Sequence, residues 1–324
     1  MMNLNEIKAP VDHHLQEFEK QFRNSMKSKV PLLDKITRYI VKRKGKQMRP
    51  LFVFFSAGLC GEISERTYRA ASLIELLHTA TLIHDDVVDD SNERRGFFSL
   101  NALWKNKISV LVGDYLLSRG LLLALDNDDF DLLKIVSRSV KQMSEGELLQ
   151  LEKARNLDIK QDVYFEIIQK KTASLIASCF ECGAASAGAD KETQEKLRLM
   201  GEYTGIAFQI KDDLLDYSNG KDTGKPSGGD IRERKMTLPL IHLLDHSTFL
   251  EKRKIINIVK NHNQDPDKIA VLIDKVNQSG GIDYARQKME ENLQKAFDIL
   301  NTLPDSPWRK SLRDLVQFTI DRQN

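Results

Sequence analysis

The stretch Leu82-Ile83-His84-Asp85-Asp86-Val87-Val88-Asp89-Asp90 restricts the possible folds more than any other part of the chain. Behind it, Leu73, Leu76, Leu77, Ala80 and Ile83 recur at steps of three and four, the spacing of one buried helix face. Asp85 and Asp89 stand four apart, so on that helix they point the same way, one turn above the other. The arrangement is locally unfavourable. Like charges at ~4 Å repel by about 1 kcal/mol in water, and the C-terminal end of a helix already carries partial negative charge. A segment that breaks two local rules within one turn reads as a site rather than a surface.

The construction recurs. Tyr203, Ile206, Ala207 and Ile210 lead into Phe208-Gln209-Ile210-Lys211-Asp212-Asp213-Leu214-Leu215-Asp216, again D-D-x-x-D at the end of an apolar helix. One copy alone is what a solvated acidic helix end looks like. Two copies, each followed by a basic loop, point to cation sites. All-oxygen, carboxylate-rich sites suit hard cations, and magnesium is typically shared between one or two carboxylates, several waters and a substrate phosphate.

The rest of the 324-residue chain is helical in character, with eight prolines, isolated glycines and no clear strand-like alternation. Nothing resembles a linker, so residues 1–324 read as one all-α domain, long enough to enclose a large core. The net charge of +2 argues against a nucleic-acid binder. Three cysteines (Cys60, Cys179, Cys182) make no disulfide framework, and Cys179 and Cys182 read as small core residues of a helix. No uninterrupted apolar run has bilayer-spanning length and residues 1–20 carry no signal-peptide core, so the expected location is the cytoplasm.

In chain order, an amphipathic helix is expected from Ile7 to Met26, another from Pro31 to about Val41, and a fully buried one from Leu51 to Cys60. Between the last two lies a basic loop in which Gly45 and Pro50 fix the backbone around Lys46 and Arg49, an anion cradle by composition. Ser64 is the expected N-cap of the helix that carries the first aspartates. His78 interrupts its apolar face, the position of an ordinary core histidine, and Arg94-Arg95-Gly96 follows the aspartates. Further helices are expected over residues 101–126, 134–152 and 163–189, the last containing Lys171-Thr172 and a run of small residues that permits close packing. A Gly- and Lys-rich loop, residues 220–235, follows the second aspartates and includes Lys225 and Lys235. Helices over 237–244, 267–278, 284–300 and 308–321 carry no evident chemistry.

Two aspartate triads with several separate basic groups exceed what one phosphate needs and match two diphosphates. There is no Walker pattern, no dinucleotide fingerprint and no Ser/His/Asp arrangement. The inventory implies an enzyme acting on an apolar molecule that bears a diphosphate, with metal assisting its departure.

These motifs, in this order over residues 45–240, resemble the trans-isoprenyl diphosphate synthases, or polyprenyl synthetases. The resemblance runs through Gly45-Lys46-x-x-Arg49-Pro50, His78, the first D-D-x-x-D with Arg94-Arg95, Lys171-Thr172, Phe208-Gln209, the second D-D-x-x-D, and Gly224-Lys225 to Lys235. It implies a single all-α domain, a helical bundle around a central apolar cavity, and a homodimer. It implies that Asp85, Asp89 and Asp212 bind Mg2+ directly, with Asp86, Asp213 and Asp216 supporting them. Arg94, Lys171, Thr172, Gln209, Lys225 and Lys235 would grip an allylic prenyl diphosphate, and Lys46, Arg49, His78 and Arg95 would hold isopentenyl diphosphate. Short-chain members often place an aromatic residue four or five positions before the first aspartate, where this chain has Ala80 and Thr81. Behind them stand Leu77, Leu76 and Leu73, and no aromatic residue occurs until Tyr68, 17 positions back or ~25 Å along the axis. A deep tunnel and a product of hexaprenyl to octaprenyl length are expected, of the kind used as a quinone side chain, with Ala80 and then Thr81 at the tunnel wall and Phe130 or Leu122 as candidate floor. Three alternatives compete: a short-chain geranylgeranyl or farnesyl diphosphate synthase, a class I terpene cyclase, disfavoured by the second D-D-x-x-D with Lys46 and Arg49, and a non-catalytic subunit of a heteromeric synthase, disfavoured by the retention of all six aspartates.

Overall fold

The computed structural model describes residues 3–42, 45–89, 93–94, 97–157, 159–217 and 227–321. Pro10 breaks the first expected helix: α1 (Leu4–Lys8) gives way to a 3-10 turn (Ala9–Val11) before α2 (Asp12–Ser25). Then follow α3 (Pro31–Lys42), α4 (Met48–Cys60) and α5 (Glu65–Val88), the last begun at Ser64, whose N–H donates to Thr67 Oγ1 at 3.2 Å. A two-residue hairpin, β1 (Glu93–Arg94) paired antiparallel with β2 (Phe97–Phe98), is the one sheet among the described residues and had no sequence signal. It precedes the long pair α6 (Leu100–Leu125) and α7 (Phe130–Asn156).

The expected helix over 163–189 is three pieces: α8 (Gln161–Ile168), a π-helical turn (Gln169–Ala173) and α9 (Ser174–Ser186). All thirteen residues of α9 are buried, which makes it the axis of the bundle. Its small side chains allow this: a Cβ on Gly201 of α10 (Lys191–Leu215) would stand 2.8 Å from Ala177 Cα, so glycine suits the crossing. Cys179 and Cys182 are both buried in α9, as expected of core residues. The short α11 (Gly229–Arg232) leads to α12 (Leu238–Asp245), α13 (Phe249–Asn261), for which the sequence reading had no counterpart, α14 (Pro266–Gln278), α15 (Gly281–Asn301) and α16 (Pro307–Asp321).

Three apolar clusters hold this together. The first joins α2, α4, α5, α9 and α16 through Phe52, Phe54, Leu73, Phe180 and Leu315, and the second gathers α8 and α10 to α15 around Ile210, Leu240 and Leu272. The third packs α3 and the start of α6 on α5, and it contains Ala80 with Met26, Ile36, Leu76, Ile83 and Leu116. Helix α6 is long and apolar enough to cross a membrane by length and composition alone. It carries Lys105, Asp114 and Arg119, packs on α5, and turns a face with Val110, Leu111, Leu121 and Leu122 outward.

Candidate active site

A cavity of about 650 Å3 opens where α7, the π turn, α10 and the segment after α11 meet, and its walls divide by chemistry. Ile159, Tyr164, Ile167, Ile168 and Met236 form an apolar side, while Gln150, Lys171, Thr172, Gln209, Asp212, Asp213, Asp216, Asp230 and Lys235 form a polar one. The π turn explains how Lys171 and Thr172 both reach it. One extra residue per turn re-aims neighbouring side chains, and such turns recur at functional sites. The turn is clamped from outside by Gly146 of α7, where a Cβ would stand 2.9 Å from both Lys170 Cβ and Lys171 N.

The polar wall is a connected network. Thr172 Oγ1 donates to Gln209 Oε1 (2.7 Å), Gln209 Nε2 donates to Asp213 Oδ1 (2.9 Å), and Tyr164 Oη donates to Asp213 Oδ2 (2.7 Å). Lys171 pairs with Glu147 and donates to Gln150 Oε1 at 3.2 Å. The carboxylate of Asp216 accepts two backbone N–H groups, from Gly229 (2.8 Å) and Asp230 (3.1 Å), which ties the end of α10 to the start of α11. That tie brings Asp230 into the wall beside the motif.

Crowding shows in the protonation equilibria. Burial first, then the charge of Asp230, pushes the Asp213 carboxyl up to about 7 against the opposing hydrogen bonds from Tyr164 and Gln209. Burial lifts Asp230 to about 6 although Lys235 opposes it, and burial also raises Asp216. Lys235 is held above its ordinary range because Glu233 (2.5 Å) and Asp230 (3.8 Å) outweigh the effect of its burial. A divalent cation would relieve this crowding, and the donor set is hard oxygen throughout. Among the described residues no three carboxylates, imidazoles or thiols already converge into a ready-made cage.

The first motif repeats the pattern of the second. Asp86, like Asp213, is buried, Asp85 and Asp212 are half-buried, and Asp89 is exposed at the end of α5. None of α5 lines the 650 Å3 cavity. Lys46 is exposed just before α4, and Arg49 is gripped two-pronged by Glu75 of α5, Nε to Oε1 at 2.7 Å and Nη2 to Oε2 at 3.3 Å. His78 is half-buried one turn beyond Glu75, on the face that continues to Asp85. Arg94 lies on β1, and Arg95 and Lys225 fall outside the described residues.

Ala80 is buried in the third cluster, and Thr81 is half-buried four residues before Asp85. Leu77 and Leu73 face Gly120 of α6. Phe130 and Leu122 are 58% and 45% exposed, so neither closes a tunnel within one chain. Asp230, Tyr164, Glu147 and Glu75 escaped the sequence reading. Asp230 alone had a signal, the Gly228-Gly229-Asp230 turn after the second motif, whereas the other three look like ordinary helix residues until the elements pack.

The family model for polyprenyl synthetase matches residues 30–276, most of the chain and every motif described above. The chain belongs to the polyprenyl synthetase family. Its relatives span it almost completely. The octaprenyl diphosphate synthase of Escherichia coli (strain K12) is 35% identical over 322 residues, covering 99% of each chain. The crystal structure of a decaprenyl diphosphate synthase from Rhodobacter capsulatus superposes with a TM-score of 0.93 at 33% identity, covering 99% of this chain and 100% of that one. The polyprenyl synthase of Caulobacter crescentus CB15, solved with calcium and isoprenyl diphosphate, gives a TM-score of 0.90 at 33% identity, covering 99% and 98%. A polyprenyl synthetase is a transferase of prenyl groups, and the all-α fold is the one these relatives share.

Proposed function

We propose that this enzyme condenses isopentenyl diphosphate with an allylic prenyl diphosphate, farnesyl or geranylgeranyl, to build a long-chain all-trans polyprenyl diphosphate of hexaprenyl to octaprenyl length. The observation that carries the reading is the divided cavity: an apolar wall beside a polar wall in which four aspartates face Lys171, Lys235 and Gln209. An isoprenoid tail and a diphosphate head need those two environments side by side.

In this reading Lys171, Thr172, Gln209 and Lys235, with Arg94 and Lys225, orient the allylic diphosphate by charge-assisted hydrogen bonds. Asp85, Asp89 and Asp212 would hold magnesium, which would supply positive charge to stabilise the departing diphosphate. Asp86, Asp213 and Asp216 support the ligating carboxylates, and Asp213 is itself fixed by hydrogen bonds from Tyr164 and Gln209. The C1–O bond of the allylic substrate breaks and leaves an allylic carbocation. Lys46, Arg49, His78 and Arg95 present isopentenyl diphosphate so that its double bond attacks that carbon, and loss of a proton from the new cation to the released diphosphate completes one elongation. Glu75 pre-aligns the Arg49 guanidinium for this task. The apolar outer face of α6 and the exposed Phe130 and Leu148 of α7 suit a homodimer interface, and the enzyme is read as cytoplasmic.

The test is direct. The purified chain, incubated with farnesyl diphosphate, isopentenyl diphosphate and Mg2+, should yield products longer than geranylgeranyl on chromatography after dephosphorylation, and chelation should abolish them. Products ending at geranylgeranyl would refute the long-chain reading, and a cyclised terpene would refute the reaction itself.

A further inference from the structure

Positive charge is concentrated in one place. Residues 27–46 carry eight Lys or Arg against a single acid, Asp34, in a chain whose net charge is only +2. Lys27, Lys29, Lys35, Arg38 and Lys42 are all exposed, and Asp34 is taken by Arg38 at 2.8 Å. Large apolar side chains stand among them. Val30 and Leu32 at the start of α3 are 56% and 45% exposed, and Phe97 and Phe98 on β2 are 52% and 57% exposed. These belong to one surface, because the Tyr39 hydroxyl donates to Phe98 O at 2.9 Å and the Tyr39 ring packs edge-on against Trp104 at 5.3 Å. Leu32 and Tyr39 are seven residues apart, two helical turns or ~10 Å, on the same face of α3. Lys35 and Lys42 lie on that face beside them.

We infer that this face, α3 with Phe97 and Phe98 of β2, docks on an anionic lipid bilayer. A surface that only steered diphosphates would gain nothing from four exposed large apolar side chains, whereas a bilayer surface takes both: the cations meet lipid headgroups and the apolar side chains enter the interface. A protein partner with an acidic, apolar surface is the competing occupant. The bilayer is favoured by the chemistry of the product, since a polyprenyl chain of hexaprenyl length or more is insoluble in water and must pass into a membrane. That support rests on the proposed reaction, but the surface can be tested without it.

Flotation of the full chain, without substrate, on phosphatidylcholine vesicles with and without phosphatidylglycerol tests the inference. The protein should float with the anionic vesicles at low salt, remain behind with the neutral ones, and be released at high salt. Lys35→Ala with Arg38→Ala should weaken binding about thirtyfold, on the order of 1 kcal/mol for each cation. Leu32→Ser with Phe98→Ser should also weaken it while leaving charge unchanged. All four positions are exposed, none is assigned to the catalytic machinery, and turnover without vesicles should be unaffected. The proposal is overturned if the wild-type chain fails to float, if it floats equally with neutral vesicles, or if either variant binds like wild type. A cation variant that lowers kcat/KM in vesicle-free buffer without changing flotation would mean that the charge only steers substrate.

Discussion

Gly146→Ala tests whether the π turn is a functional feature. Two effects compete on stability. Alanine is favoured over glycine inside a helix by about 1 kcal/mol. Against that, the new methyl would stand 2.9 Å from Lys170 Cβ and from Lys171 N, where carbon contacts relax near ~3.5–4.0 Å. One of the two atoms is backbone, so the π turn must move away from α7 by roughly half an ångström or more. Overpacking of this kind costs about 1–3 kcal/mol, which leaves a net destabilisation between zero and about 2 kcal/mol. The effect on turnover should be far larger. Lys171 and Thr172 ride on the displaced turn, Thr172 is hydrogen-bonded to Gln209 at 2.7 Å, and a misplacement near 1 Å can cost about 100-fold in rate. Steady-state kinetics with a fixed allylic primer, alongside a thermal melt, should show a small fall in Tm, a large fall in kcat and a raised KM for the allylic substrate. A variant that melts lower but keeps wild-type kcat and allylic KM would refute the reasoning, because the turn would then be tolerant packing.

Four further outcomes follow from particular residues. Lys105 sits at a kink in α6 at φ 69°, ψ 165°, a region open essentially to glycine, so Lys105→Gly should raise stability by up to about 2 kcal/mol in a denaturant titration, about 1–3 kcal/mol of relieved strain less about 1 kcal/mol for glycine's freedom in the unfolded chain; a lowered midpoint would mean that the backbone there is relaxed. Thr81→Phe should shorten the product with the first condensation intact, while Ala80→Phe should chiefly lower Tm by overpacking the third cluster; the reverse pattern on product chromatography and melting would place Ala80, not Thr81, at the tunnel wall. Asp213 binds a proton up to about pH 7 in the folded chain but only to about 4 when unfolded, so metal-free stability should fall as pH rises between those values and Asp213→Asn should flatten that slope. A wild-type melt that rises with pH over the same interval would contradict the burial argument. Asp85→Ala and Asp212→Ala should each lower turnover by orders of magnitude without loss of apo stability, since each removes repulsion from a crowded site, and near-normal activity at saturating Mg2+ would remove the metal assignment.

Local chemistry made much of this protein legible in its sequence. The buried face of α5 was readable from Leu73, Leu76, Leu77, Ala80 and Ile83 because burial on a helix leaves a period, and the two aspartate motifs were readable because they violate local charge rules. The burial of Cys179 and Cys182 needed only composition and helix context. What the sequence could not contain was anything set by which helix meets which. The break of α8–α9 into a π turn has no mark in Lys170-Lys171-Thr172 itself; it depends on Gly146 and Gly205, each from a different helix, closing on the turn from either side. The two-pronged hold of Glu75 on Arg49 joins residues 26 positions apart, and Tyr164 reaches Asp213 across 49. Ala80 shows the limit most clearly. Its small size near the first aspartate was readable, but its neighbours Met26, Ile36 and Leu116 come from elsewhere in the chain, and only the arrangement of such neighbours decides whether a small side chain borders a tunnel or a core.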